Sequence, residues 1–367
     1  MAKRALTSAR GDRGMIPVFD IMDTTLRDGS YACGFSFSKT LTARLAGALD
    51  AAGCRYIEVG HGVGLNAANM GKGEALHTDV EYITSAVGAA RNAKIGVFCI
   101  PGIAGVEHVE AAADAGVSFV RVGTNANEVE TSRKIVEKCK SLGLTVFANY
   151  MKSYVISPAQ FCEQVKKSVG YGADAVYVVD SAGGMFPDDI ARYFGVVREA
   201  FGDSVKMGFH GHDNLSLAVS NTLHAVSLGA AFVDASLQGL GRGAGNAATE
   251  ILVACLLKKY GRCEIDLKKV LEAGWRHVAP LNPSRKTSPL DVVSGLSDFH
   301  SSFMHDIHKT AAKYEVDPLA LIMEYASVDK VGMDVGMLSS MARRIARTKK
   351  CAGVGYDFNG YHGHEQS

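Results

Sequence analysis

The sequence predicts an α/β protein built on a (β/α)8 (TIM) barrel, with an appended C-terminal helical domain. Eight short runs rich in Val, Ile and Phe follow one another along the chain, at intervals of about 30 residues. Nearly continuous apolar runs of this length are typical of strands buried on both faces of a parallel sheet. Stretches whose apolar residues are three and four positions apart lie between the runs, and this spacing predicts helices. Strands that alternate with helices eight times indicate a closed barrel.

The predicted strands can be placed in chain order. They are "PVFDIMD" near residue 20, "RYIEVGH" near 58, "KIGVFCIP" near 98, "FVRVGT" near 121, "TVFANYM" near 148, "AVYVVDS" near 178, "VKMGFHGH" near 209 and "FVDASL" near 235. Two clear helices between them, "KTLTARLAGALDAAG" and "AQFCEQVKKSVGYG", end in glycine, as helices often do. The alternative, an open doubly wound sheet, usually has a G-x-G-x-x-G loop after its first strand. This chain has "TTLRDGS" there, so the barrel is the favoured fold.

The pattern changes after about residue 270. The segment "WRHVAPLNPSRKTSPLD" carries three of the eight prolines. Three helical stretches follow it, "FMHDIHKTAAKYE", "PLALIMEYASV" and "GMLSSMARRIARTKK". We therefore expect a flexible arm over 1–15, the catalytic barrel over 16–270, a helical C-terminal domain over 271–347 and a flexible tail over 348–367.

Composition narrows the functional class. The net charge is +1, and no basic block is long enough to indicate a nucleic-acid surface. No apolar run approaches the roughly 18–20 residues of a membrane span, and no apolar core follows the basic N-terminus as it would in a secretory signal. The eight cysteines are scattered and form no C-x-x-C motif, which suits reduced thiols. We expect a cytoplasmic protein that acts on small molecules.

Active sites of such barrels lie at the carboxyl ends of the strands. The polar residues expected at these ends are Arg27, Asp28, His61, Asp180, Ser181, His210, His212 and Asn246. The strongest local motif is "HGHDN", in which His210 and His212 lie two positions apart on an extended segment and so face the same side. With Asp28 they would form a two-histidine, one-carboxylate site for a divalent metal. These donors favour Mn²⁺, Co²⁺ or Zn²⁺ over Ca²⁺, with Mg²⁺ as a further candidate.

The remaining polar positions have two interpretations each. Arg27 has a permanent charge and a forked donor, and beside a metal it would stabilise an enolate or a carboxylate; otherwise it forms a structural salt bridge to Asp23 or Asp180. His61 either supports the ligands from behind or is a packing histidine. The loop "QGLGRGAGN", which ends at Asn246, lets backbone approach a ligand or is simply a tight turn.

A lysine offers a competing mechanism. Lys152 follows the fifth strand, and a Schiff base there would make a metal-free aldolase. This alternative leaves both histidines of "HGHDN" unexplained. The tail segment "YHGHE" (361–365) repeats the H-G-H motif. We interpret the repeat as incidental, because a flexible tail makes a poor metal site.

Several motifs together resemble the 4-hydroxy-2-oxovalerate aldolase family. They are "DTTLRDGS", "IEVGHGVGL", "HTDVEYI", "PGIAGVEHV", "DSAGGM", "HGHDNLSLAVSNT", "DASLQGLGRGAGNA" and "HSSF", and they extend from about residue 18 to about 345. The resemblance implies a class II aldolase of the superfamily that also contains metal-dependent lyases and acyl-CoA condensing synthases. It implies reversible cleavage of a 4-hydroxy-2-oxoacid to pyruvate and an aldehyde, through a pyruvate enolate held on a divalent ion, typically Mn²⁺. An acylating aldehyde dehydrogenase partner, in a homo- or hetero-oligomer, is implied as well.

The resemblance also assigns roles to individual residues. It implies that Asp28, His210 and His212 bind the metal, and that His210 also lies against the substrate. It implies that Arg27 binds the substrate and stabilises the enolate, and that Ser181, in "DSAGGM", contacts the substrate.

One departure from the family concerns the acid and base. The aldolases resembled here carry a histidine after "LRDGS", taken as the catalytic base, and a tyrosine before "SSF". This chain has Tyr31 and His300 at these positions. Our hypothesis is that the two residues form the acid/base pair, with the histidine and the tyrosine exchanged between the two positions. His300 would be the base, because imidazole titrates near neutrality. Alternatively, Tyr31 only fills space and the reaction differs.

Two other functions stay open at this point. An acyl-CoA condensing synthase of the isopropylmalate or citramalate type shares the arginine–aspartate pair and the H-x-H motif, but it usually has glutamine at the position of Tyr31 and a long regulatory domain. A non-catalytic partner subunit is the third class, and the intact ligand set argues against it. Asn149 and Tyr150 are expected near the pocket, where they would tune the choice of substrate.

Overall fold

The computed structural model describes residues 18–281, 289–348 and 358. The predicted arm (1–15), the "YHGHE" motif (361–365) and all of the predicted tail except 348 and 358 lie outside these residues. Eight parallel strands form a closed barrel in chain order, and this confirms the predicted fold. The strands are β1 (Asp20–Leu26), β2 (Tyr56–Val59), β3 (Lys94–Cys99), β4 (Phe119–Asn125), β5 (Thr145–Met151), β6 (Ala175–Asp180), β7 (Lys206–Gly211) and β8 (Phe232–Ala235).

Each strand is followed by a helix, as predicted. These helices are α1 (Lys39–Ala51), α2 (Asp79–Ala89), α3 (Val106–Asp114), α4 (Arg133–Ser141), α5 (Pro158–Tyr171), α6 (Pro187–Phe201), α7 (Ala218–Ser227) and α8 (Thr249–Tyr260). Local sequence sets their ends. The side chains of Ser157 and Gln160 cap the start of α5, and Gly172 ends that helix with a φ of 103°, a left-handed conformation that favours glycine.

Aromatic rings fill the barrel at the amino ends of its strands. Phe147 packs edge-on against Phe119 and Phe232, with ring centroids 5.4 and 4.9 Å apart. Glycine makes room for them, because a Cβ atom at Gly96 would lie 2.3 Å from the Phe119 ring. This packing closes the floor of the barrel to water.

A charged layer lies directly above the aromatic floor. Side chains two positions apart on a strand face the same way, so the residues two positions after the floor aromatics also point inward. They are Glu58, Arg121, Asn149 and Asp234, and all are buried. The floor therefore places four polar side chains in the middle of the barrel.

Four C-terminal helices form a second unit with a core of its own. They are α10 (Pro289–Ser297), α11 (Met304–Tyr314), α12 (Pro318–Ala326) and α13 (Val335–Thr348). The helix before them, α9 (Leu267–Ala273), contributes Val270 and Ala273 to the barrel core instead. The predicted boundary after residue 270 falls inside α9, which packs on α1 of the barrel. The separate core begins at Leu290 and includes Phe303 and Tyr325. Lys152 ties the two units together, because its ammonium donates to the Val331 carbonyl and lies 4.8 Å from the centre of the Phe303 ring.

Two further expectations concern membranes and thiols. Among the described helices, none has the length and apolar character needed to cross a bilayer. The described cysteines are all free thiols. Burial raises the pKa of the Cys33 thiol to about 11, and it raises that of Cys54 further. The thiols of Cys33 and Cys54 are therefore protonated and unreactive at neutral pH.

We predict that the substitution Gly96→Ala destabilises the barrel by about 1–3 kcal/mol, since the new methyl group would overlap the Phe119 ring. The matched control is Gly195→Ala, at an exposed position of α6 where nothing lies within 4 Å of the added Cβ. There, alanine should stabilise the helix by about 0.5–1 kcal/mol. Urea unfolding of both variants gives the comparison, and equal effects would contradict the packing account.

Candidate active site

A small cavity of about 40 Å³ lies at the carboxyl ends of the strands, beneath the C-terminal helices. Its lining consists of Arg27, Asp28, Tyr31, Gly62, Val63, Phe98, Ile100, Asn149, Met151, Val179, Ser181, His210, His212, Arg242 and His300. A larger cavity of about 240 Å³ lies around the start of β1, at the opposite end of the barrel. The larger cavity contains none of the predicted site residues, so the small one is the candidate active site.

The three predicted metal ligands meet in this cavity. One donor atom from each of Asp28, His210 and His212 lies within 4.8 Å of the other two, and all three residues are buried. Burial by itself would raise the pKa of Asp28, but Arg27 and then His212 hold it well below its ordinary value. The group is therefore a carboxylate at neutral pH.

Neighbouring groups set the tautomer of each histidine. His210 Nδ1 lies 2.8 Å from Asp234 Oδ2, to which it donates, and His212 Nδ1 donates to the Gly245 carbonyl at 3.2 Å. Both Nε2 lone pairs are then left for the centre of the site, where the two atoms are 3.4 Å apart. Burial, and after it Arg242, lowers the pKa of His212 well below 6.5, so its ring is neutral. One carboxylate and two imidazole Nε2 atoms fit a divalent cation.

Arg27 forms ion pairs that the sequence did not predict. It donates from Nε to Glu58 Oε2 and from Nη1 to Asp28 Oδ1, both at 2.9 Å. The predicted alternatives, Asp23 and Asp180, instead accept hydrogen bonds from nearby backbone N–H groups. Arg27 Nη2 has no hydrogen-bond partner among the described residues, and Arg27 lines the cavity. This donor is therefore available to a ligand.

The ion pairs continue across the barrel. Glu58 Oε2 also accepts from Arg121 Nη1 at 3.1 Å, and Arg121 Nη2 donates to Asp234 Oδ2 at 2.5 Å. Asp234 in turn holds His210. Burial raises and Arg121 lowers the pKa of Asp234, and the net shift is downward. A continuous chain of charges thus joins Arg27 to a candidate metal ligand.

Tyr31 and His300 line the same cavity from different parts of the chain. Tyr31 lies on the 3-10 turn that follows β1 (Asp28–Cys33), and its ring occupies the space that a side chain at position 62 would need. His300 precedes α11, and its Nδ1 lies 2.6 Å from Ser302 Oγ. Burial, followed by Arg242 and Lys152, lowers the pKa of His300 well below 6.5, so the ring is neutral at pH 7.

The other predicted residues lie around or outside the cavity. Ser181 lines it, and Asn246 donates to Asp28 Oδ2 at 2.6 Å and so orients this ligand. His61 stacks on Phe35 with ring centroids 3.9 Å apart, and it is absent from the lining. Its Nδ1 accepts from the Val63 N–H. These are the contacts of a packing histidine.

The two residues expected to tune the substrate differ in their placement. Both belong to β5 itself, where successive side chains point to opposite faces. Asn149 faces the cavity and accepts from Arg121 Nε at 3.3 Å. Tyr150 faces outward, and its hydroxyl lies 2.7 Å from Ser168 Oγ on α5. Lys152 is also absent from the lining.

The sequence interpretation missed four charged residues. Glu58, Arg121 and Asp234 are single charges inside apolar strand runs, and this pattern could have marked them as a buried network. Arg242 lies in the glycine-rich loop after β8. No pattern in that loop indicates that its side chain reaches the cavity.

Comparison with known proteins places the chain among barrel enzymes. The HMGL-like family matches residues 18–275. The 4-hydroxy-2-oxovalerate aldolase of Pelotomaculum thermopropionicum is 36% identical over 337 residues, which is 92% of this chain and 99% of that protein. The 4-hydroxy-2-oxovalerate aldolase 2 of Nocardia farcinica is 37% identical over 327 residues, which is 89% of this chain and 94% of that protein.

Solved structures show the same fold. The carboxyl transferase domain of Rhizobium etli pyruvate carboxylase, solved with pyruvate and biocytin, has a TM-score of 0.74 at 17% identity, and the match covers 92% of this chain and 62% of that one. HMG-CoA lyase of Bacillus subtilis has a TM-score of 0.64 at 18% identity, and covers 74% of this chain and 97% of that one. At these identities the structures establish the fold alone.

We predict that Asp234→Asn weakens Mn²⁺ binding by about 10–100-fold. The amide can donate to His210 Nδ1, which would move the ring proton to the Nε2 atom that faces the site. Electron paramagnetic resonance titration of the metal-stripped protein measures the affinity. Asp174→Asn, which alters an exposed ion pair with Lys140, is the matched control. Equal affinities in the two variants would show that Asp234 does not orient the ligand.

Proposed function

This chain belongs to the 4-hydroxy-2-oxovalerate aldolase family, and from that premise we propose that it is a class II aldolase, a carbon–carbon lyase that reversibly cleaves a 4-hydroxy-2-oxoacid to pyruvate and an aldehyde. The observation that carries the proposal is the meeting of Asp28, His210, His212 and the Nη2 donor of Arg27 in one buried cavity. These groups suit the binding of a 2-oxoacid and the stabilisation of an enolate.

Asp28, His210 and His212 would hold the divalent cation. Bound there, the cation supplies Lewis acidity for the keto oxygen of the 2-oxoacid. Mn²⁺ is the proposed ion, because the mixed nitrogen and oxygen donors suit it; Mg²⁺, Co²⁺ and Zn²⁺ are the alternatives. The orienting contacts from Asp234, Gly245 and Asn246 keep the donors in place for the cation.

Several protein groups then contribute to cleavage of the C3–C4 bond. The base removes the proton of the 4-hydroxyl, the C3–C4 bond breaks, and its electron pair stays on the three-carbon fragment as the pyruvate enolate. Arg27 Nη2 donates to the developing oxyanion, while Glu58 and Asp28 hold the rest of its guanidinium. Protonation at C3 gives pyruvate, and Ser181 lines the substrate space.

His300 is the proposed base and Tyr31 its acid partner. The proposal is supported by the neutral state of His300 and by the position of both residues on one cavity lining. With its proton on Nδ1, the His300 ring donates to Ser302 Oγ, and Nε2 is then the basic nitrogen. The Ser302 N–H also approaches Nδ1, at 3.2 Å, and favours the opposite tautomer, with the proton on Nε2. The proposal takes the Nδ1–H tautomer as the active one, and the imidazolium that forms when Nε2 takes the hydroxyl proton is then the acid of the reverse reaction.

The alternatives have less support. An acyl-CoA condensing synthase is not favoured, because the curated relatives compared above are aldolases across about nine-tenths of this chain. A Schiff-base aldolase is disfavoured because the Lys152 ammonium is held by Val331 outside the cavity lining. A non-catalytic subunit would have no need of an intact ligand set.

Location and partners are also part of the proposal. The free thiols of the described residues, four of them buried, suit the cytoplasm. An acylating aldehyde dehydrogenase subunit remains the proposed macromolecular partner, in a homo- or hetero-oligomer. The substrates are small molecules, and we propose no role in nucleic-acid binding.

The first test is pyruvate release from 4-hydroxy-2-oxopentanoate. We expect protein stripped with EDTA to be inactive and to regain activity with Mn²⁺, because the donor set requires a cation. Coupling to lactate dehydrogenase reports the pyruvate. His212→Ala should stay inactive after Mn²⁺ is restored. Metal-independent pyruvate release, abolished by borohydride in the presence of pyruvate, would instead establish the Schiff-base mechanism.

The second test concerns His300. We expect His300→Ala to lower kcat by about 10²–10⁴-fold while Mn²⁺ and pyruvate still bind. In the unsubstituted enzyme, activity should be lost as the pH falls through the lowered pKa of His300, so the acid limb should lie below pH 6.5. The control is His305→Ala, an exposed histidine on α11, the helix that follows His300. Full activity of His300→Ala would transfer the role of base to Tyr31, which Tyr31→Phe would then test.

A further inference from the structure

Arg242 is a second arginine in the cavity, and the proposed reaction gives it no role. It is 7% exposed and lines the cavity beside His212. Its Nη2 lies 3.1 Å from His212 Nε2 and donates to the Ser181 carbonyl at 3.3 Å, and its Nη1 donates to Ser301 Oγ. The guanidinium is therefore placed directly against the nitrogen that faces the other candidate ligands.

A metal ion bound at the candidate site would compete with Arg242 for the same lone pair. His212 Nδ1 is bound to Gly245, so Nε2 has one lone pair, which either accepts from Arg242 or coordinates a cation. Coordination would release an Arg242 donor beside the cavity, where a ligand lies. Guanidinium forks match carboxylates in two-point contacts.

The two arginines lie at opposite ends of the ligand set. Arg27 contacts Asp28. Arg242 contacts His212, and it also contacts Ser301, the neighbour of His300. In the proposed reaction the 2-oxoacid end of the substrate lies at Arg27, and its 4-hydroxyl lies at His300. Arg242 is then beside the C4 substituent.

We propose that Arg242 is a specificity-determining residue that binds a second carboxylate on the C4 side of the substrate. This inference rests on the proposed function and names its substrate class, the 4-hydroxy-2-oxo dicarboxylic acids. Cleavage of the C3–C4 bond leaves the electron pair on the pyruvate enolate, the base takes the hydroxyl proton, and C4 leaves as an aldehyde that carries the carboxylate. The small cavity favours a compact acid, with the carboxylate directly on C4.

The test compares two five-carbon substrates, 4-hydroxy-2-oxoglutarate and 4-hydroxy-2-oxopentanoate, with the Mn²⁺-loaded enzyme. We expect the unsubstituted enzyme to favour the diacid in kcat/KM. Arg242→Ala should lower the diacid-to-monoacid ratio by about 10–100-fold, the effect of losing one charge-assisted contact. Arg242→Lys keeps the charge but loses the forked donor. Its diacid-to-monoacid ratio should lie between those of the unsubstituted enzyme and Arg242→Ala.

An unchanged ratio in Arg242→Ala, or an unsubstituted enzyme that prefers the monoacid, would overturn the inference and leave the aldolase proposal intact. Release of pyruvate from neither substrate would instead refute the aldolase proposal.

A second measurement does not depend on turnover. Without substrate, Arg242→Ala should bind Mn²⁺ several-fold more tightly than the unsubstituted protein, because a positive charge and a competing donor are removed from His212 Nε2. Electron paramagnetic resonance titration reports this affinity. Weaker Mn²⁺ binding would show that Arg242 holds His212 in place, and this structural role would overturn the inference.

Discussion

The buried chain of charges is the constraint on which the rest of the site depends. It passes from Asp28 through Arg27, Glu58 and Arg121 to Asp234, and it ends on His210. Its three carboxylates and two guanidiniums leave a net charge of −1. Buried ion pairs add little net stability, and removing one member strands a charge in a medium of low dielectric constant. The value of the chain is therefore orientation, and its surplus negative charge favours a cation at the site.

The barrel supports this chain of charges by excluding water at the amino ends of the strands. The aromatic floor around Phe147 closes the amino end, so Arg121 and Glu58 are fully buried. Arg121 also lies 4.6 Å from the centre of the Tyr177 ring, whose face favours a cation. In such surroundings each donor is fixed before substrate arrives, as stabilisation of a developing oxyanion requires.

Sequence periodicity sufficed for the fold and for the residues at strand ends. Each apolar run became a strand, and "LRDG" and "HGH" came together because all eight strands end at one rim. Two of the ion pairs escaped prediction since they join strands that are not neighbours: Arg121 on β4 meets Glu58 on β2, and it also meets Asp234 on β8, across the barrel. Only closure of the sheet brings these positions together. Arg242 was missed for a different reason. It lies in a loop, so the conformation of that loop, rather than the periodicity of a strand or helix, determines where its side chain points.

The residues of the site come from both structural units, and each unit lies on the side of a different half of the proposed substrate. The barrel alone supplies the candidate metal ligands and Arg27, which in the proposed reaction serve the pyruvate half of the substrate. The C-terminal unit places His300 in the cavity lining, and its Ser301 accepts a hydrogen bond from Arg242 of the barrel, so in the proposed reaction this unit lies on the side of the half that leaves as the aldehyde. Lys152 fixes the position of this unit on the barrel through Val331. On the proposed assignment the base lies on a different unit from the candidate metal ligands, so an exchange of residue type between positions 31 and 300 would move the base off the barrel and leave Asp28, His210 and His212 in place.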